Sequence, residues 1–131
     1  MTSVIVIDDD KDTVRLFSEL LEENGVEVIG KGYSGKDAIS LFEKKRPDVI
    51  LIDIMMPDGS GFYAIRKIHE KNPNAKILAV TADTTSQTEE KLKKIQLPLD
   101  IKKKHSHYVI KNNFKKDSVR KNVKDILNKI L

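Results

Sequence analysis

The sequence predicts an α/β protein built on a doubly wound parallel sheet, because short apolar runs alternate with segments of helical periodicity. Three such runs occupy residues 4–7, 49–52 and 77–80, and a shorter one occupies residues 108–110. Uninterrupted apolar runs of this length are typical of parallel strands buried on both faces. Each run ends in a polar residue, and ligands of open parallel sheets bind at the carboxyl ends of the strands. The sequence therefore predicts a site at one sheet edge, formed by Asp8, Asp9, Asp10, Asp53, Thr81 and Lys111.

The first half of the chain predicts two helices and an edge strand. Residues 12–24 place apolar side chains on one helical face, and Gly25 follows as a stop signal. Residues 26–29 alternate in polarity, as an edge strand does. Ser34 can cap the next helix while Asp37 reaches back toward the preceding chain.

The second half continues the alternation. Residues 54–61 contain Pro and Gly and predict a loop, and residues 62–71 predict the third helix. Residues 84–96 predict a fourth helix with few apolar positions, residues 97–107 resist assignment, and residues 119–130 predict the last helix. The result is a flavodoxin-like (βα)5 fold with strand order 2-1-3-4-5.

Length and composition restrict the class of protein. The chain has 131 residues, the size of a single domain spanning residues 1–131. It has no cysteine, which excludes disulfides and thiolate metal sites. No apolar run approaches the roughly 20 residues of a membrane span, and no basic segment precedes an apolar stretch at the N-terminus. We therefore expect a cytoplasmic protein without a membrane partner.

The charge is unevenly distributed along the chain. Residues 1–90 hold 11 Lys or Arg and 17 Asp or Glu, whereas residues 91–131 hold 13 and 3. An acidic front and a basic end suggest two roles on two surfaces. The alternative is that the lysine-rich helices are simply solvated.

The acidic triplet Asp8-Asp9-Asp10 allows two interpretations. Adjacent carboxylates repel, and a divalent cation such as Mg²⁺, which prefers oxygen ligands, would relieve that repulsion. Acidic residues also favour the beginning of a helix, which requires no metal. The presence of Asp53 at a neighbouring strand end favours the metal.

A carboxylate at the end of a buried strand can be a nucleophile. Asp53 could form an aspartyl-phosphate. Phosphoryl transfer requires positioning and charge neutralisation, which Lys111, the Thr81 hydroxyl and backbone amides near Ala82 could supply beside a metal ion.

Taken together, these motifs resemble the receiver domain of two-component response regulators. The resemblance covers the whole chain and is weakest from residue 84 to residue 107. The matching motifs are the pair Asp8-Asp9, the segment Asp-Ile-Met-Met-Pro from Asp53 with Gly61 eight residues further on, Thr81-Ala82, and Lys111.

The resemblance implies a role for each matching residue. Asp53 would accept a phosphoryl group from a sensor histidine kinase, a phosphotransfer protein or a small phosphodonor. Mg²⁺ would be bound by Asp53, directly by Asp9, through water by Asp8, and by the backbone carbonyl of Met55.

The remaining matches imply a switch rather than an enzyme in the usual sense. Thr81 would move toward the phosphoryl group while Tyr108 turns inward, beside Lys111 and the Ala82 amide. The protein would catalyse only its own phosphorylation and dephosphorylation. Its oligomeric state would be a monomer or a phosphorylation-dependent dimer.

Two departures from the family pattern stand near the end of the chain. Asn112 follows Lys111 where the family usually has proline, so we expect a trans peptide bond there. Extra residues at 101–107 make the interval after Thr81 long. The face formed by the fourth helix, fifth strand and fifth helix is the family's usual output surface, and its basic character here predicts an acidic downstream partner.

Three other hypotheses remain open from the sequence. One is a receiver-like binding module that is not phosphorylated and uses its basic C-terminal face. Nucleic acid is a poor candidate for its ligand, because residues 97–111 contain a single aromatic, Tyr108. Another is a haloacid-dehalogenase-type phosphatase, but Met55 stands where its general acid would be. The chain could also be a fragment of a larger regulator.

Overall fold

The computed structural model describes residues 2–54, 56–57, 60–81 and 108–111. The sheet has five parallel strands in the order β2-β1-β3-β4-β5, which confirms the predicted fold class and strand order. The predicted fourth and fifth helices and residues 97–107 lie outside the described residues. In chain order the elements are β1 (Ser3–Ile7), α1 (Lys11–Glu23), β2 (Glu27–Gly32), α2 (Gly35–Lys45), β3 (Val49–Asp53), α3 (Ser60–Lys71), β4 (Lys76–Thr81) and β5 (Tyr108–Lys111).

Helices cover both faces of the sheet, since alternate strand residues point to opposite sides. In β1, Val4 and Val6 pack toward α1, whereas Ile5 and Ile7 pack toward α2 and α3. Burying each such side chain contributes about 1.5–3 kcal/mol. Among the described residues, no helix has the length and apolar character needed to cross a bilayer. The helical residues that pack on the sheet are Val14, Phe17, Leu20 and Leu21 of α1, Ala38 and Phe42 of α2, and Ala64, Ile65 and Ile68 of α3.

Strand β2 lies at one edge of the sheet and pairs irregularly with β1. Val4 is opposite Val28 but Ile5 is opposite Gly30, so the register shifts by one residue. Glu27 and Lys31 are exposed along this strand. The edge is therefore bulged and charged, unlike the apolar central strands.

Side chains cap the starts of α1 and α2, and the cap predicted for α2 is confirmed. Asp10 caps α1 by accepting the Asp12 N–H at 3.0 Å. Ser34 caps α2 by accepting the Asp37 N–H at 3.1 Å. The Asp37 carboxylate reaches back, as predicted, and accepts the Tyr33 N–H at 2.9 Å, one residue before the cap. Each cap satisfies an N–H that the helix itself leaves without a partner.

Two elements differ from the sequence prediction by two residues or more at one end. Strand β2 spans Glu27–Gly32 rather than residues 26–29, because pairing with β1 carries the chain through two glycines of low strand propensity. Helix α3 begins at Ser60 rather than at residue 62. A Ser-Gly pair is typical of loops, and the close packing of Gly61 described below explains its place in a helix.

Candidate functional site

Three carboxylates meet at the carboxyl edge of the sheet. Asp8 follows β1, and Asp53 is the last residue of the neighbouring strand β3. One carboxylate oxygen from each of Asp8, Asp9 and Asp53 lies within 4.8 Å of the other two. Asp8 is 4% exposed and Asp53 is 6% exposed, whereas Asp9 is exposed. The predicted acidic site is thus assembled, with two buried acids and one that faces solvent.

Asp10 has a different position from its two neighbours. Its side chain caps α1 and is not among the three carboxylates that converge. Both interpretations of the acidic triplet therefore apply, one to Asp10 and the other to Asp8 and Asp9.

The Asp8 carboxyl is held in an unfavourable environment for its charge. Burial is the largest cause and raises the pKa of Asp8 from 3.8 to about 7. The Asp10 N–H, which donates to Asp8 Oδ1 at 2.9 Å, acts in the opposite direction. The charge of Asp53, and the hydrogen bond and charge of Asp9, are the smaller contributions to the raised pKa of about 7. Asp8 is therefore a buried acid whose neighbouring carboxylates disfavour its ionised form.

This donor set fits a hard divalent cation. Mg²⁺ takes oxygen ligands, usually one or two carboxylates together with waters. A cation would compensate for the repulsion and burial that raise the pKa of Asp8, and the exposed Asp9 leaves a route from solvent. The residues present therefore fit Mg²⁺.

The backbone brings the ends of β4 and β5 to the same edge. Asp53 is opposite Val80 in the β3–β4 pair, and Thr81 is opposite Lys111 in the β4–β5 pair. The ends of β3, β4 and β5 thus lie at the same edge of the sheet, as the sequence predicts.

The other predicted site residues are not covered. Met55 and Ala82 lie outside the described residues, as does the peptide bond between Lys111 and Asn112. Their predicted roles remain predictions.

Gly61 lies directly against the main chain of the phosphoacceptor candidate. An added Cβ would be 2.8 Å from the Asp53 carbonyl oxygen and 2.9 Å from Ile54 Cα. Both obstacles are backbone atoms, so neither can move aside cheaply. Only glycine allows the first turn of α3 to approach Asp53 this closely.

Gly61→Ala is expected to slow phosphoryl uptake by about 10-fold, because the new methyl group displaces the backbone that carries Asp53. It is also expected to lower the free energy of unfolding by about 1–3 kcal/mol, as overpacking does. Replacing glycine by alanine inside a helix normally stabilises the protein by up to about 1 kcal/mol. A loss of stability in Gly61→Ala would therefore indicate the steric conflict with Asp53. Urea unfolding and the rate of uptake from a small phosphodonor provide the measurements.

The control for this substitution is Tyr63→Ala, at an exposed position on the same helix. It should leave the uptake rate unchanged. A Gly61→Ala protein as active and as stable as wild type would contradict the packing argument.

One residue of this region was missed by the sequence analysis. Ser60 accepts the Gly35 N–H at 2.8 Å, which joins the first residues of α3 and α2. The two residues are 25 positions apart, so no local pattern indicates their contact.

The family model for the response regulator receiver domain matches residues 4–115. This chain belongs to that family. Receiver domains of this family are phosphorylation-dependent switches of two-component signalling, not classical enzymes, and this chain is such a switch. The comparisons do not support the alternative of a receiver-like module that is not phosphorylated.

Two curated proteins illustrate the relationship of this receiver to others. It is 39% identical over 82 residues to protein CcdB of Bacillus subtilis, which covers 63% of this chain and 68% of CcdB. It is 32% identical over 79 residues to chemotaxis protein CheY of Thermotoga maritima, which covers 60% of this chain and 66% of CheY. The aligned segment is thus about two thirds of either relative.

A solved structure supports the fold of this receiver. Chemotaxis protein CheY4 of Vibrio cholerae superposes with a TM-score of 0.79 at 22% identity, covering 100% of this chain and 99% of CheY4. Receivers bind Mg²⁺ at an acidic pocket, and this chain has a cluster of acidic residues, Asp8, Asp9 and Asp53. Receivers also interact with histidine kinases or phosphotransfer proteins and with downstream effectors.

Proposed function

We propose that this receiver accepts a phosphoryl group on Asp53 and that Mg²⁺ is held there by Asp8, Asp9, Asp53 and the backbone carbonyl of Met55. The observation that carries the proposal is the convergence of three carboxylates within 4.8 Å at the carboxyl edge of the sheet. A structural role alone gives no reason to gather two buried acids around one point, because their mutual repulsion destabilises the fold.

The transfer itself is a nucleophilic displacement by Asp53. One of its carboxylate oxygens attacks the phosphorus atom of the donor, and the bond from phosphorus to the donor breaks. With phosphohistidine as donor, the imidazole leaves with the electron pair and takes up a proton. Mg²⁺, when bound, neutralises negative charge on the phosphoryl oxygens.

The position of Asp53 suits this role. It ends a strand in which every residue is buried, and Gly61 packs against its carbonyl, so its backbone is held on both sides. A nucleophile held in this way requires little further ordering before it reacts.

Three residues are proposed to interact with the phosphoryl group, and a fourth, Tyr108, is proposed to respond to it. Lys111 and the Ala82 amide would contact its oxygens, and the Thr81 hydroxyl would approach it while Tyr108 changes position. Such a response biases an existing two-state equilibrium. The support is the register that places Thr81 opposite Lys111.

The partners are also part of the proposal. A sensor histidine kinase or phosphotransfer protein would supply the phosphoryl group, and an acidic downstream partner would bind the face formed by the fourth helix, β5 and the fifth helix. Lys102, Lys103 and Lys104 give this face its predicted charge. The protein is proposed to be a cytoplasmic domain of residues 1–131 that catalyses only its own phosphorylation and dephosphorylation.

The test is the intact mass of the protein after incubation with a small phosphodonor, in Mg²⁺ and in excess chelator. We expect one phosphoryl group with Mg²⁺ and none with chelator. The modification should be lost on treatment with hydroxylamine, as an acyl phosphate is. A protein that binds Mg²⁺ but gains no phosphoryl group from either a small donor or a phosphotransfer protein would contradict the proposal.

A further inference from the structure

The segment from Gly32 to Gly35, between β2 and α2, is hydrogen bonded at one end to Asp8 of the acidic site and at the other end to the first residue of α3. At one end, the Asp8 N–H donates to the Gly32 carbonyl oxygen at 3.2 Å. At the other end, the Gly35 N–H donates to Ser60 Oγ at 2.8 Å. A short segment thus joins the strand end that carries Asp8 to the helix that packs beneath Asp53.

The backbone at Gly35 packs so closely against Ser60 that there is no room for a side chain at Gly35. A Cβ added at Gly35 would lie 2.3 Å from the Ser60 carbonyl oxygen and 2.6 Å from Ser60 Cβ. The first N–H groups of a helix have no acceptor within that helix. The Ser60 hydroxyl is therefore an acceptor for α2 that is supplied by another helix.

The turn is also braced within itself. Ser34 accepts the Asp37 N–H, and the Asp37 carboxylate accepts the Tyr33 N–H. Three hydrogen bonds, donated by the N–H groups of Tyr33, Gly35 and Asp37, therefore resist a displacement of the backbone at Gly35.

Ser60 is connected to the nucleophile Asp53 through a single residue, Gly61. Gly61 follows Ser60 and contacts the main chain of Asp53 and Ile54. The position of Asp53 relative to Asp8 is thus determined by β1–β3 pairing and also by this second route through the β2–α2 turn.

We propose that Ser60 is a positioning residue, whose hydrogen bond to Gly35 holds Asp53 at the distance from Asp8 that Mg²⁺ requires. The inference rests on the proposed function, since it concerns the same metal site. In this proposal Ser60 is not a ligand of the metal and acts through Gly61 and the Asp53 backbone.

The test is the Mg²⁺ affinity of Ser60→Ala, measured by calorimetry. Residues that support metal ligands change affinity by about 10–100-fold when they are replaced. Ser60 acts at one further step, so we expect Mg²⁺ to bind about 10-fold more weakly. Gly35→Ala disturbs the same contact from the other side and should weaken Mg²⁺ binding in the same direction.

Two controls separate positioning from general destabilisation. Ile68→Val removes a methyl group from the α3 core and should lower stability with Mg²⁺ affinity unchanged. Ser40→Ala, at an exposed site on α2, should change neither property.

The outcomes distinguish the two proposals. Wild-type affinity in both Ser60→Ala and Gly35→Ala would overturn the role of Ser60, even if Asp53 is phosphorylated. Equal weakening in Ile68→Val would also overturn it, since loss of stability would then explain the effect. A wild-type protein that binds no Mg²⁺ would overturn both this inference and the proposed function.

Discussion

Asp53→Asn is expected to abolish phosphoryl uptake completely. The amide that replaces the carboxylate has no anionic oxygen to attack phosphorus, while its size and shape are nearly the same. The residue is 6% exposed at the end of a buried strand, so the substitution also removes a charge from the cluster without opening a cavity. Intact mass after incubation with Mg²⁺ and a small phosphodonor measures the result.

Asp48→Asn is the matched control, because Asp48 directly precedes the same strand at the opposite edge of the sheet. Its carboxylate accepts the Ser3 N–H at 2.8 Å and has no contact with the acidic cluster. This variant should gain one phosphoryl group as wild type does. Uptake by Asp53→Asn would assign the phosphoryl group to another acid, with Asp8 and Asp9 the first to examine.

Asp8→Asn is expected to stabilise the metal-free protein at about pH 8 by about 2–4 kcal/mol. Burial raises the pKa of Asp8 to about 7 in the folded protein, against 3.8 as its ordinary value. The folded state therefore binds the proton more tightly than the unfolded state does. The stability from this proton is fully present below about pH 3.8 and is lost as the pH rises through about 7.

Urea unfolding in chelator at two pH values measures this effect. The gain from Asp8→Asn should be largest near pH 8 and fall below about 1 kcal/mol near pH 4, where wild-type Asp8 carries its proton in the folded state and in part of the unfolded molecules. Asp12→Asn, at an exposed position in the first turn of α1, should bring no such gain. A pH-independent difference between wild type and Asp8→Asn would contradict the role of burial.

Asp8→Asn should also weaken Mg²⁺ binding, so the variant that is more stable without metal should be poorer in function. Protons compete with the metal for Asp8, so wild-type Mg²⁺ affinity should decrease as the pH falls below about 7. In Asp8→Asn this pH dependence should be smaller. The protonated form of Asp8 thus favours stability, whereas its ionised form favours Mg²⁺ binding.

Much of the sheet could be predicted because most of its strands are continuous apolar runs in the sequence. The runs at β1, β3 and β4 are apolar on both faces, and burial on both faces is what the structure shows. Strand β2 was located less accurately, since Gly30 and Gly32 have no strand preference and are extended only by pairing with β1. Tertiary pairing determined that boundary, and no local pattern reports it.

The sequence could predict which acidic residues lie together at the site, but it could not predict how deeply they are buried. The strand ends identify Asp8 and Asp53 as neighbours, but the raised pKa of Asp8 comes from the depth at which the fold buries it. The division of the triplet, with Asp10 as a cap, depended on where α1 begins. The contact of Ser60 with Gly35 depends on how two helices approach each other, which residue spacing does not encode.

The irregular edge strand β2 also bears on how separate molecules meet. An open strand edge exposes backbone N–H and C=O groups that can pair with a strand of another chain, the first step of aggregation. A bulge near Gly30 and charged side chains at Glu27 and Lys31 oppose such pairing. The β2 edge of this apolar sheet is therefore a poor template for a strand of another molecule.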